Sequence, residues 1–124
     1  MFTNKILSSD ARGYIIEIFK YKNFSILLIK SKKGTIRGNH YYLNETHLNY
    51  IVKGKIAYYW KKLNSNSKIK KKIYKKNKFF LTKKKDVHAM KFLEDSLNIY
   101  LSNIPRNKKN YLKEVRKKII LKDN

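Results

Sequence analysis

Three side chains of this 124-residue sequence are suited to proton or metal chemistry near neutral pH: His40, His47 and His88. Imidazole is the group whose ordinary pKa lies in that range, so it can act as a base, an acid or a metal ligand. Their setting lifts them above isolated histidines. His40 and Tyr42 stand two apart in Arg37-Gly38-Asn39-His40-Tyr41-Tyr42, which reads as extended, so both point to one face. His47 opens the next alternating run, and His88 comes much later, after another strand. Cysteine is absent, which excludes disulfides and thiolate metal sites.

Short strands must position these residues. Apolar runs at 14–19, 23–29, 37–42, 47–52, 56–60, 69–74, 79–81 and 97–101 are short and mostly alternating. Lys32-Lys33-Gly34, Lys53-Gly54-Lys55 and Asn64-Ser65-Asn66-Ser67 separate them as turns. The Lys-rich run at 69–74 suits an edge, where lysines discourage strand addition. Strands of this length and spacing, with one proline, predict an all-β sandwich or barrel. After Pro105 the period changes. Tyr111, Leu112, Val115 and Ile119 recur at helical spacing, which predicts a short C-terminal helix laid on the barrel. A basic amphipathic helix on an anionic membrane is the rival reading, disfavoured by the few large apolar residues.

The length suits a single domain over residues 1–124, with no repeat and no linker. Apolar residues make up 42% and aromatics 14%, a composition that can bury a core and argues against disorder. No apolar run approaches the roughly 20 residues that span a bilayer. No signal-peptide pattern opens the sequence, so a cytoplasmic location is the default expectation. The net charge of +23 comes from 31 Lys and Arg against 8 Asp and Glu. It could serve a polyanion, yet the lysines are spread along the chain among Asn, Ile and Tyr. An AT-rich coding sequence favours that mixture, so nucleic acid is not expected as a partner, and an anionic small molecule fits the charge equally well.

The motif Gly34-Thr35-Ile36-Arg37-Gly38-Asn39-His40-Tyr41-Tyr42, then His47, Gly54 and the later His88, resembles the cupin superfamily. The resemblance implies a cupin: a double-stranded β-helix, or jelly-roll barrel, with the four motif side chains converging inside it. In this chain those slots read His40, Tyr42, His47 and His88, with Tyr42 in place of a second His and His47 in place of a Glu. Held on His40, His47 and His88, one transition metal is implied, for which Zn, Ni or Fe suits imidazoles better than Mg or Ca. Asp10-Ala11-Arg12-Gly13-Tyr14 and the Arg37–Tyr41 run are similar to cupins of sugar-nucleotide pathways. These comprise the dTDP-4-dehydrorhamnose 3,5-epimerases, the dTDP-sugar 3,4-ketoisomerases and the cupin domain of capsular polysaccharide epimerase-reductases.

That likeness implies a sugar-nucleotide isomerase or epimerase of surface-polysaccharide synthesis, removing a proton beside the keto group of a 4-keto-6-deoxy sugar nucleotide. His40 is then base or metal ligand, since a metal occupies the lone pair a base needs. Glu17, Glu45, Asp86 and Asp95 are the candidate carboxylates to orient it. Arg12 and Arg37 stand where these families hold phosphate, for which the guanidinium fork is suited. Tyr42 and Trp60 are candidates for substrate contact, although most of the aromatics are expected to fill the core. Tyr100 lies one residue out of phase with the acid tyrosine of the 3,5-epimerases, a shift that turns a strand side chain to the other face. A homodimer is implied, and no organic cofactor. The alternative is a non-catalytic cupin that binds a metal or a sugar, because fold does not fix function. A third reading, a basic polyanion binder, would lose affinity steeply with salt.

Overall fold

A computed structural model describes residues 2–22, 24–64, 66–105 and 107–122. Among the described residues, eleven strands and one helix follow in chain order: β1 (Phe2–Asp10), β2 (Gly13–Tyr21), β3 (Phe24–Ser31), β4 (Ile36–Tyr42), β5 (His47–Lys53), β6 (Lys55–Lys62), β7 (Lys70–Lys75), β8 (Phe79–Thr82), β9 (Asp86–Phe92), β10 (Ser96–Ser102), α1 (Lys108–Glu114) and β11 (Val115–Lys117). They form two antiparallel sheets, ordered β1-β2-β3-β10-β5-β8 and β11-β4-β9-β6-β7. The Lys-rich β7 stands at an edge, as its composition requires. The expected strand start at Asn23, and Ser65 in the expected turn at 64–67, lie outside the described residues.

The alternation that marks the strands also sorts their faces. In β5, His47, Asn49 and Ile51 point inward and are buried. In β10, Ser96, Asn98, Tyr100 and Ser102 do the same. One apolar cluster holds Ile51, Ile56, Tyr58, Phe80, Met90 and Phe92. A second holds Leu27, Ile29 and Tyr100, with Leu7 and Ile15 packed against it. Burying each large apolar side chain contributes about 1.5–3 kcal/mol. Gly54 makes the tight β5–β6 connection at φ +100°, and a Cβ there would stand 2.2 Å from Ser96 Oγ.

Besides β1, over which no strand was expected, two elements differ from the sequence expectation. Helical spacing from Tyr111 to Ile119 predicts one helix, but α1 ends at Glu114. Val115 is extended, and Val115, Arg116 and Lys117 pair with Tyr42, Tyr41 and His40 of β4. The open edge of β4 offers a ladder to the β-branched Val115, and that pairing outweighs the helical period. β9 is the second difference. Val87, His88, Ala89 and Met90 are all buried, so no alternation marks this strand between β4 and β6.

Candidate functional site

A bulge in β4 sets the site. Arg37 and His40 are three apart, so a regular strand would send them to opposite faces. The β4–β9 register shifts between Gly38 and His40, with Gly38 at φ +93° and Asn39 at φ +57°. The extra residue turns both Arg37 and His40 into one chamber. Gly38 is required there, since a Cβ would lie 2.9 Å from the His88 carbonyl oxygen. Beyond the bulge His40 pairs directly with His88 of β9.

All three histidines reach this chamber. The His40 and His88 rings are 4.7 Å apart at their centroids, and His47 and His88 are 5.8 Å apart. Tyr42 stands 5.0 Å from His40, on the same face as the sequence requires. Tyr100 also faces inward and stacks on His47 at 4.0 Å, so its side chain does reach the interior. The chamber is small, ≈ 90 Å³.

Each hydrogen bond of the two inner histidines fixes a tautomer. His47 Nδ1 lies 3.1 Å from Glu45 Oε2, and a carboxylate can only accept, so Nδ1 carries the proton. The Tyr100 hydroxyl donates to the same Glu45 oxygen. His88 Nδ1 donates to the Asp86 carbonyl at 3.0 Å. In the neutral form of either ring the lone pair then sits on Nε2. Burial first, and the neighbouring His47 second, push the His88 pKa down to about 3. His88 is therefore a neutral acceptor and too weak a base to take a proton at neutral pH. Of the other candidate carboxylates, Asp95 accepts the Lys33 N–H at 2.8 Å and Glu17 lies against Thr3.

Arg37 is 6% exposed. Its Nε donates to Ser31 Oγ at 2.8 Å and its Nη2 to the Lys30 carbonyl at 3.1 Å. Among the described residues no carboxylate forms an ion pair with it. Burial lowers its pKa, and the nearby Arg12 charge lowers it further. Arg12 lies outside it, paired to Asp10 at 2.7 Å, a bond that raises the guanidinium pKa. Arg12, Ile15 and Tyr111 line both the chamber and an outer groove of ≈ 380 Å³ that also carries Lys5. Trp60 stands elsewhere, packed on the core and stacked on Tyr58 at 5.4 Å.

The donor chemistry of His47 and His88 suits a metal, since a ligating imidazole commonly gives its other N–H to a carboxylate or carbonyl. Their placement does not. Among the described residues no three His, Asp or Glu groups are arranged to hold an ion. The side chains as they stand are not gathered into a three-histidine centre.

Sequence reasoning missed two contributors and assigned a third to another histidine. Tyr111 reads as the apolar face of a helix but lines the chamber mouth. The bulge that turns Arg37 inward is signalled by Gly38-Asn39, a pair tolerant of positive φ. Glu45, which the sequence offered as a carboxylate to orient His40, lies against His47 Nδ1, two residues on.

Two antiparallel sheets with an inward-facing histidine cluster at the end of a barrel define a cupin. Solved structures agree on the fold. Capsular polysaccharide assembling protein CapF from Staphylococcus aureus superposes with a TM-score of 0.83 at 18% identity, over 96% of this chain and 33% of that one. KdgF from Halomonas sp. gives 0.68 at 17% identity, over 85% and 91%. Oxalate decarboxylase from Bacillus subtilis gives 0.69 at 14% identity, over 86% and 29%. The chain thus spans about a third of CapF. No curated protein sequence matches it. The family model of the polysaccharide biosynthesis C-terminal domain matches residues 8–95, and the chain belongs to that family. No helix among the described residues is long and apolar enough to cross a membrane.

Proposed function

We propose that this cupin is an isomerase or epimerase that removes a proton beside the keto group of a nucleotide-linked 4-keto-6-deoxy sugar, in surface-polysaccharide synthesis. The Glu45–His47 pair, whose imidazole lines a chamber that also holds the buried Arg37, carries this reading. Glu45 keeps the lone pair of His47 on Nε2 and stabilises the imidazolium that forms when the ring takes a proton. The base is therefore His47, and His40 is its neighbour across the chamber. Arg37 brings fixed positive charge to where an enolate develops. Arg12 and Lys5 supply charge for a diphosphate in the outer groove.

Size supports this division. Pockets that enclose a whole organic ligand run to about 300–1,000 Å³. A chamber of ≈ 90 Å³ admits the reacting edge of a sugar and leaves the nucleotide to the groove of ≈ 380 Å³. The family name and the likeness to CapF support a place in polysaccharide synthesis. A homodimer belongs to the same proposal. The outer face of the six-stranded sheet carries the paired apolar row Ile26, Leu101, Leu48 and Leu81, and Leu81 and Leu101 are exposed. Light scattering reads that state directly.

The small chamber also favours a second reading, a cupin that binds the sugar without turning it over. Incubation with 4-keto-6-deoxy sugar nucleotides in D2O separates the two. Deuterium entering beside the keto group supports catalysis; saturable binding with no exchange supports the non-catalytic cupin.

A further inference from the structure

We propose that Glu114 is a positioning residue for the Glu45–His47 pair, acting through the backbone of the loop between β4 and β5. The proposal rests on the reading of that pair as the site's base. Glu114 closes α1 and is 8% exposed. Its Oε1 accepts the backbone N–H groups of Asn44 and Glu45, each at 2.7 Å. Its Oε2 accepts Asn44 Nδ2 at 3.0 Å, and its carbonyl accepts the Leu43 N–H at 3.0 Å. Three successive loop donors, from Leu43, Asn44 and Glu45, thus end on one residue.

The arrangement serves the loop and not the helix. An acidic group at a helix C-terminus opposes the helix dipole, where Lys or Arg would be favoured. Among the described residues no cation pairs with Glu114. Its charge is met by the loop donors, which would otherwise be left unsatisfied next to a buried residue. Holding the Glu45 N–H fixes the point from which the Glu45 side chain reaches His47 and Tyr100. The clamp is itself anchored from both sides. Tyr111, one turn back, lines the chamber, and Val115, the next residue, pairs with Tyr42 of β4. Tyr111, Glu114 and Val115 lie beyond the stretch that the family model matches, which ends at residue 95, whereas the loop they hold lies within it.

The test is the ring-nitrogen NMR spectrum of 15N-histidine-labelled full chain, with no ligand. His88 is the internal control, because its tautomer is fixed by Asp86 in the other sheet. In Glu114→Ala the His47 ring is expected to become a tautomer mixture. Its Nδ1–H should exchange about tenfold faster, the factor set by one net hydrogen bond. Glu114→Gln should restore the native signature, since its amide oxygen can accept both backbone N–H groups. An unchanged His47 signal in Glu114→Ala, with the His88 signal intact, overturns the proposal. If Glu114→Ala loses the His88 signal as well, Glu114→Asp, one methylene short, takes its place, and a native His47 signal in it is equally fatal. The readout needs no substrate. Failure of turnover would therefore sink the base assignment and leave the clamp standing, whereas an indifferent His47 would do the reverse.

Discussion

His47 Nδ1 lies 3.1 Å from Glu45 Oε2, and both side chains are buried. The contact decides which ring nitrogen holds the proton, and so which nitrogen of His47 can act as the base. Glu45→Gln should lower the rate of proton exchange by roughly 10²–10⁴, with an unchanged circular dichroism spectrum. Its amide can donate to Nδ1 and drive the proton to Nε2. Full activity in this variant would take the carboxylate out of the mechanism.

Arg37 is a buried cation without a carboxylate partner among the described residues. Such a group is kept for a ligand more readily than for stability. Arg37→Met should lower the rate of proton exchange at saturating sugar nucleotide about 10²- to 10³-fold, with no loss of Tm in the empty protein. A lower Tm with an unchanged exchange rate would make the guanidinium a structural group.

His88 gives stability a pH dependence. In the folded chain its pKa is pushed down to about 3, chiefly by burial, against an ordinary value of 6.5. Between these values the unfolded chain binds the extra proton. The contribution is therefore complete above pH 6.5 and is lost as pH falls toward 3. Thermal melts should show Tm declining across that window, and less steeply in His88→Gln. Parallel slopes in the two proteins would refute the assignment.

Because the described histidines do not form a ligand set, proton exchange should survive dialysis against a strong chelator. Loss of exchange, restored by Zn, Ni or Fe, would transfer the role to a metal on His40, His47 and His88.

Much of the barrel was legible because one face of most strands is buried and the other is not. The run Leu48-Asn49-Tyr50-Ile51 alternates and stops at Gly54, as β5 does. The gathering of His40, His47 and His88 was implied by the resemblance of their motif to the cupins. What was hidden depends on contacts distant in sequence. β9 is buried along Val87–Met90 and so shows no period. β11 forms because the edge of β4 is open, which a helical pattern at 111–119 cannot report. The Glu114 clamp joins residues 69 and 70 positions apart. Arg37 reaches the chamber only through the bulge at Gly38, which breaks the two-residue rule used to assign faces.

The central claim is that His47, held by Glu45, is the base. Its most direct test is the rate of deuterium incorporation beside the keto group of a 4-keto-6-deoxy sugar nucleotide, measured by NMR for wild type, His47→Gln and His40→Gln. Abolished exchange in His47→Gln, with residual exchange in His40→Gln, is the predicted result. Exchange retained in His47→Gln and abolished in His40→Gln would contradict it and return the role to His40.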